Sequence, residues 1–184
     1  KLELLSSERS FIRTIDRVYS DREFGYFVLH INPRKKDAGK GHPELFNMLL
    51  CDEGIILFRF LEIDNSIAAE TTIKAMSNPL VFNTLKRDIQ EKIKESKYLV
   101  DEYGNLKYSM NICFVFPNVK SESIINISST ERDFCDKHCL FADSITILRK
   151  QGKQLLDKML SNGEVLTEEY VNYIFQRVAP EITI

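Results

Sequence analysis

The chain has 184 residues, of which 43% are hydrophobic and 28% charged, with only 7 Gly and 5 Pro. This composition is typical of an ordered globular domain and excludes a disordered or fibrous protein. The formal net charge of −2 excludes a generally basic surface, so any binding of nucleic acid would have to rest on a local patch.

The compartment is predicted from what the sequence lacks. No apolar run approaches the 18 residues that suggest a transmembrane helix, and the N-terminus has no signal-peptide pattern. We therefore expect a cytoplasmic protein without a membrane partner. The four cysteines show no secreted disulfide framework and are expected to be free thiols: Cys51, Cys113, Cys135 and Cys139.

The first third of the chain predicts one helix and three strands. Apolar residues recur at helical spacing from residue 11 to residue 19, after Ser6-Ser7-Glu8, which predicts a capped first helix. Residues 24–31 are aromatic and β-branched and predict a strand, and the polar segment 32–41 predicts a loop. Two apolar runs at 45–50 and 55–61, joined by Cys-Asp-Glu-Gly, predict a β-hairpin.

The remaining elements follow a stretch at 62–77 that gives no clear prediction. Asn78-Pro79 begins an amphipathic helix that is expected to reach about residue 97. Residues 110–116 are continuously apolar and predict a buried central strand, so the order so far is α-β-β-β-α-β. A capping box is expected at 130–133, a fifth strand at 139–142, and two helices at 147–160 and 167–178.

The hairpin resembles the nuclease-related branch of the PD-(D/E)XK nucleases, in which an acid opens the first strand and a Glu-x-Lys lies on the second. Residues 44–47 and 54–61 align with that pattern at the same spacing, but the residues that bind the metal ion and the phosphate are replaced. Phe46 stands at the position of the metal-binding Asp, Arg59 at the Glu and Leu61 at the Lys. With the element order, the resemblance implies an α/β (α+β) domain: a mixed sheet flanked by helices, followed by a C-terminal helical pair.

Three short sequence motifs lie outside the hairpin: Phe-Val-Phe-Pro-Asn-Val at 114–119, Leu-Phe-Ala-Asp at 140–143 and Asn-Pro-Leu at 78–80. They resemble motifs of the nuclease-related domain at the N-terminus of bacterial UvrD/Rep-type DNA helicases. The resemblance implies that the parent chain is an ATP-dependent DNA helicase whose other domains are the partners of this piece. ATP and Mg²⁺ are expected only in that motor. Gly39-Lys40-Gly41 lacks the spacing of a phosphate-binding loop, so no cofactor is expected here.

The ends of the sequence predict a domain boundary. The chain begins at Lys1 rather than Met and stops soon after the last predicted helix, near Pro180. We therefore expect an N-terminal piece of a longer protein. It would comprise a nuclease-like domain at residues 1–145 and a helical appendage at 146–184 that leads toward a missing C-terminal region.

Five cations are candidate contacts for DNA. Four lie in the loop before the hairpin and one lies on the hairpin: Arg34, Lys35, Lys36, Lys40 and Arg59. A guanidinium cannot ligate a metal ion, but it can hold a phosphate through paired hydrogen bonds. The arrangement is therefore compatible with binding DNA without cutting it. The alternative is that all five are ordinary solvated surface charges.

Four acids are candidates for a relocated cleavage site. Glu8, Glu44, Glu62 and Asp64 could converge at one end of the sheet, and two-metal hydrolysis needs at least two carboxylates around an ion. Solvated surface acids explain them equally well. Cys135, His138 and Cys139 offer three zinc ligands, but no second cluster supplies a fourth. No catalytic residue and no metal site are therefore predicted.

The sequence thus leaves three functions open. The first is an accessory domain of a DNA helicase, nuclease-like but catalytically inactive, that binds DNA or docks on the motor. The second is an active metal-dependent nuclease with relocated acids. The third is a module that only binds protein.

Overall fold

Strands that are apolar on both faces require helices on both sides of the sheet, and this requirement sets the architecture. The computed structural model describes residues 6–20, 25–31, 44–95, 99–103, 105–152 and 154–163. In chain order, the elements are α1 (Ser6–Val18), β1 (Gly25–Ile31), β2 (Glu44–Cys51), β3 (Gly54–Phe60), α2 (Ser66–Met76), α3 (Pro79–Ile93), β4 (Met110–Phe116), α4 (Ser129–His138), β5 (Cys139–Phe141), α5 (Ala142–Gln151) and α6 (Gln154–Ser161).

The five strands form one mixed sheet in the order β1-β2-β3-β4-β5. β1, β2 and β3 pair antiparallel, whereas β4 and β5 are parallel to β3. α2 and α3 lie in the crossover between β3 and β4, as a parallel connection requires. The predicted class, a mixed sheet flanked by helices, is confirmed.

The first core lies between the sheet and the helices α2, α3 and α4. Alternate residues of the hairpin face it, including Phe46, Met48, Ile55 and Leu57, and buried residues of the three helices complete it. α2 begins at Asn65, whose side chain accepts a hydrogen bond from the backbone N–H of Ala68 at 2.8 Å. This helix occupies part of the stretch at 62–77, where no clear element was predicted.

The second core lies on the opposite face, under α1, α5 and α6. Phe11 of α1 is completely buried and makes edge contacts with Phe58 and Phe60 of β3, at ring centroid distances of 4.9 and 5.2 Å. Leu148 of α5 and Leu156 of α6 are buried in the same core. α1, α5 and α6 therefore form one helical layer over the sheet.

Several predicted elements are confirmed and two are wrong. The first helix, the hairpin, β4 and β5 lie where they were expected, and the helix at Pro79 ends at Ile93 rather than near 97. The capping box belongs to Ser128 and not to residue 130, because the Ser128 side chain and Glu131 exchange reciprocal hydrogen bonds of 3.1 and 2.9 Å.

The single helix predicted at 147–160 is also wrong. Gly152, at a φ of 77°, ends α5, and α6 begins at Gln154. The predicted boundary between residues 145 and 146 falls inside α5, and the described part of 146–184 packs on the sheet. The predicted loop at 32–41 and helix at 167–178 lie outside the described residues.

Gly54 is required where the hairpin meets the segment before β4. Its φ is 148°, and a Cβ at this position would lie 2.9 Å from the carbonyl oxygen of Ser109. That same carbonyl accepts the backbone hydrogen bond of Ile55 at 2.8 Å.

Among the helices of the described part, none is long and apolar enough to cross a membrane.

Candidate functional site

The hairpin positions that the resemblance assigns to metal ligands lie on the face of the sheet toward α2, α3 and α4. Phe46 is completely buried in the first core, and Leu61 packs against that core. Asn47 pairs with Phe58, so the same register continued by one residue sets Phe46 opposite Arg59. The three positions therefore adjoin on one face of the sheet, and two of them contribute to apolar packing.

Arg59 is the polar member of this group. It is half-buried on β3, where it pairs with Phe114 of the parallel strand β4. Both of its neighbours along the strand, Phe58 and Phe60, face the second core. The guanidinium of Arg59 thus lies on the side of the sheet opposite to α1.

Glu8 lies on the side of the sheet that α1 covers. It is buried in α1 at 7% exposure, and its Oε2 accepts a hydrogen bond of 3.3 Å from Nδ2 of Asn47, which is 2% exposed on β2. The Oδ1 of Asn47 has no hydrogen-bond partner in the part of the chain that the structure describes. The sequence analysis did not identify Asn47, although a lone amide within an apolar strand is an unusual pattern.

The other predicted acids lie at the end of the sheet where β2 begins and β3 ends. Glu62 and Asp64 are exposed in the connection to α2, and Asp64 accepts a hydrogen bond of 3.3 Å from Asn65. Glu44 is the first residue of β2 and pairs with Ile31, but its side chain lies outside the described structure. Among described residues, no three His, Cys, Asp or Glu side chains are placed to hold a metal ion together.

The cysteines and His138 are arranged for packing. The thiol of Cys139 makes a hydrogen bond with Cys135 that lowers the pKa of Cys135, whereas burial raises the pKa of Cys139 well above its usual value. Nδ1 of His138 lies 3.0 Å from the carbonyl oxygen of Ile112. Its ring also packs against Phe82, at a centroid distance of 4.7 Å.

A small polar cleft lies at the other end of the sheet, beside the start of β4. Its volume is about 160 Å³, and Lys86, Lys137 and His138 are among its lining residues. The ammonium of Lys86 lies 4.8 Å from the centre of the Phe82 ring. Arg59 is near the opposite end of β3, so this cleft and the hairpin candidates are separate.

The four loop cations predicted to contact DNA fall outside the described residues: Arg34, Lys35, Lys36 and Lys40. The structure therefore describes Arg59 alone of the five predicted contacts. Comparison with models of known families, with curated proteins and with solved structures gave no match.

Proposed function

We propose that this chain is a nuclease-like domain without cleavage activity that binds DNA, as an accessory domain of an ATP-dependent DNA helicase. The observation that carries the proposal is apolar packing at positions that the resemblance assigns to metal-site residues. Phe46 and Leu61 stand at two of the three positions that the resemblance assigns to catalysis, and both pack in or against the first core.

A carboxylate could not function at position 46 without a wider change in the structure. A buried charge must be paired or bound to a metal ion, and the surroundings of Phe46 are apolar side chains. Mg²⁺ also requires several oxygen ligands, which an Arg and a Leu on the neighbouring strand cannot supply. The hairpin is therefore unsuited to metal-dependent cleavage at these positions.

The element order supports the nuclease-like part of the proposal. An antiparallel β1-β2-β3 unit is followed by crossover helices and a parallel β4, with α1 on one face of the sheet and α2 and α3 on the other. The observed order is α-β-β-β-α-α-β, which differs from the predicted α-β-β-β-α-β order by one additional helix, α2, in the crossover. The inference that the parent chain is a helicase, with ATP and Mg²⁺ in its motor, rests on the short sequence motifs at 78–80, 114–119 and 140–143.

The test measures binding and cleavage in the same samples. The 184-residue chain is titrated into fluorescently labelled single- and double-stranded DNA at low salt, with EDTA, Mg²⁺ or Mn²⁺. Anisotropy reports binding, and denaturing gels report cleavage. We expect binding that does not depend on the metal, and intact DNA. Cleavage that Glu8→Gln or Glu62→Gln abolishes would instead establish a relocated nuclease site, and absence of binding would refute the DNA-binding function.

Arg59 has a separate test with a matched control. Arg59→Gln should weaken binding, because the variant loses a cation that can pair with phosphate. Arg87→Gln removes the same charge from α3, away from the hairpin, where Arg87 forms an ion pair with Glu91 at 3.5 Å. Thermal unfolding of both variants monitors folding. If Arg59→Gln binds DNA as tightly as Arg87→Gln, Arg59 is not a contact.

A second candidate function is docking on another protein surface. Ile67 and Ile125 are 74% and 71% exposed, and the backbone N–H of Asn126, the residue after Ile125, donates a hydrogen bond to Glu70 on α2, the helix that carries Ile67. Sedimentation over a range of concentrations tests docking on a second copy. Association that the double change of Ile67 and Ile125 to Glu abolishes would support this function, and a monomer at every concentration would refute homotypic docking.

A further inference from the structure

The exposed face of α1 carries a row of arginines. Arg9, Arg13 and Arg17 are spaced four residues apart, so they lie on one side of the helix, and all three are exposed. The opposite side of the helix carries Phe11 and Ile15, which are buried in the second core. At 1.5 Å per residue, the row extends over roughly 12 Å.

α5 extends this row with two more exposed cations, Arg149 and Lys150. The two helices are joined through their side chains. Nη2 of Arg17 donates to the carbonyl oxygen of Arg149 at 3.1 Å, and Nη2 of Arg149 donates to Oγ of Ser10 at 2.6 Å. These two hydrogen bonds join α1 to α5, and we call the exposed cations of the two helices the arginine ridge.

The charge of the arginine ridge is not balanced locally. Asp16 is the one exposed acid of α1, and none of the five cations forms an ion pair with a carboxylate in the described part of the chain. Like charges four residues apart on a helix repel each other and destabilise it. Apart from the two hydrogen bonds of Arg17 and Arg149, the described structure shows no contact that offsets the repulsion between these cations, in a chain whose net charge is −2.

We infer that the arginine ridge binds the phosphodiester backbone of a nucleic acid. Over the same 12 Å, a DNA duplex presents about seven phosphate charges, so a rigid row of arginines can meet several of them at once. Arginine also binds phosphate through two parallel hydrogen bonds. This inference rests on the proposed function and names a surface for it on the face opposite to Arg59.

A lipid surface fits the arginine ridge less well. A helix that binds in a membrane interface inserts an apolar face next to its cationic one. The apolar face of α1 is occupied by the sheet, since Phe11 packs between Phe58 and Phe60. The ridge therefore offers charge without the apolar surface that membrane insertion needs.

The experiment follows DNA affinity as a function of salt concentration. The double change Arg9→Gln/Arg13→Gln removes two cations that make no hydrogen bond within the described structure, so folding should be unaffected. Each lost phosphate contact lowers the slope of log K against log salt by about 0.9. We expect a slope smaller by roughly 1.8 and an affinity at least tenfold lower at about 0.1 M salt.

Two further variants make the result specific. Arg9→Lys/Arg13→Lys keeps both charges and should keep the slope. Arg87→Gln/Lys92→Gln removes the same charge from α3, where the cations are paired with Glu91 and Glu95, and should also keep the wild-type slope. A thermal unfolding curve of each variant reports whether the fold is retained.

The outcomes separate this inference from the proposed function. If the wild-type chain binds DNA and the Gln pair of α1 binds it with an unchanged slope, the arginine ridge is refuted and DNA binding stands. If the wild-type chain does not bind DNA or RNA, both fail. If it binds phosphatidylserine vesicles instead, and the Gln pair loses that binding, the ridge takes lipid and the inference is refuted.

Discussion

Truncating Phe11 should detach α1 from the sheet, and the structure gives the size of the effect. Phe11 is 0% exposed, and its ring meets Phe58 and Phe60 edge-on. A Phe→Ala change in a closed core costs about 3–5 kcal/mol, because the apolar transfer energy is lost and a cavity remains. Since a domain is stabilised by only about 5–15 kcal/mol, Phe11→Ala should remove a large part of that margin.

Urea unfolding followed by circular dichroism measures the loss. With a slope of about 2 kcal/mol per molar urea, the midpoint should fall by roughly 1.5–2.5 M. Phe11→Leu keeps most of the buried area and should lose less, while Ile67→Ala, at a 74% exposed site, should change stability by no more than about 0.5 kcal/mol. A loss below about 1 kcal/mol for Phe11→Ala would refute the packing of α1 on β3.

Three further changes test the polar interior and the thiols. Asn47→Leu removes the amide that donates to buried Glu8 and should lower urea stability by about 1.5–3 kcal/mol. Iodoacetamide should modify Cys135, whose pKa is lowered by the neighbouring thiol, before Cys113, whose pKa burial raises; peptide mass spectrometry gives the order. Partial burial raises the pKa of Asp143, but hydrogen bonds from the backbone N–H and the hydroxyl of Ser121 lower it below its usual value. The resulting stabilisation is present above the unfolded pKa and is lost as pH falls below about 4, so Asp143→Asn should flatten the fall in melting temperature there.

The elements that the sequence predicted well are those with a strong local pattern. β4 is continuously apolar, the hairpin consists of two apolar runs about a short turn, and α1 has helical spacing behind serines. α2 was missed because it buries only Ala69, Glu70 and Ile73, too few to produce an amphipathic stripe. The helix predicted at 147–160 was wrong because Gly152 breaks it, and a glycine can either continue or end a helix.

The sequence by itself determined most of the strands and helices, the alternation that puts Arg59 and Leu61 on one face of their strand, and the four-residue spacing of the arginines on α1. Only the tertiary structure decided which of these faces are buried. It joined Glu8 to Asn47 across 39 residues and brought Arg149 to Ser10 across 139. The physical reason is the separation along the sequence over which residues interact. Helix and strand preferences depend on neighbours within about four residues, whereas burial and long-range hydrogen bonds exist only once the sheet and its two helical layers have packed together.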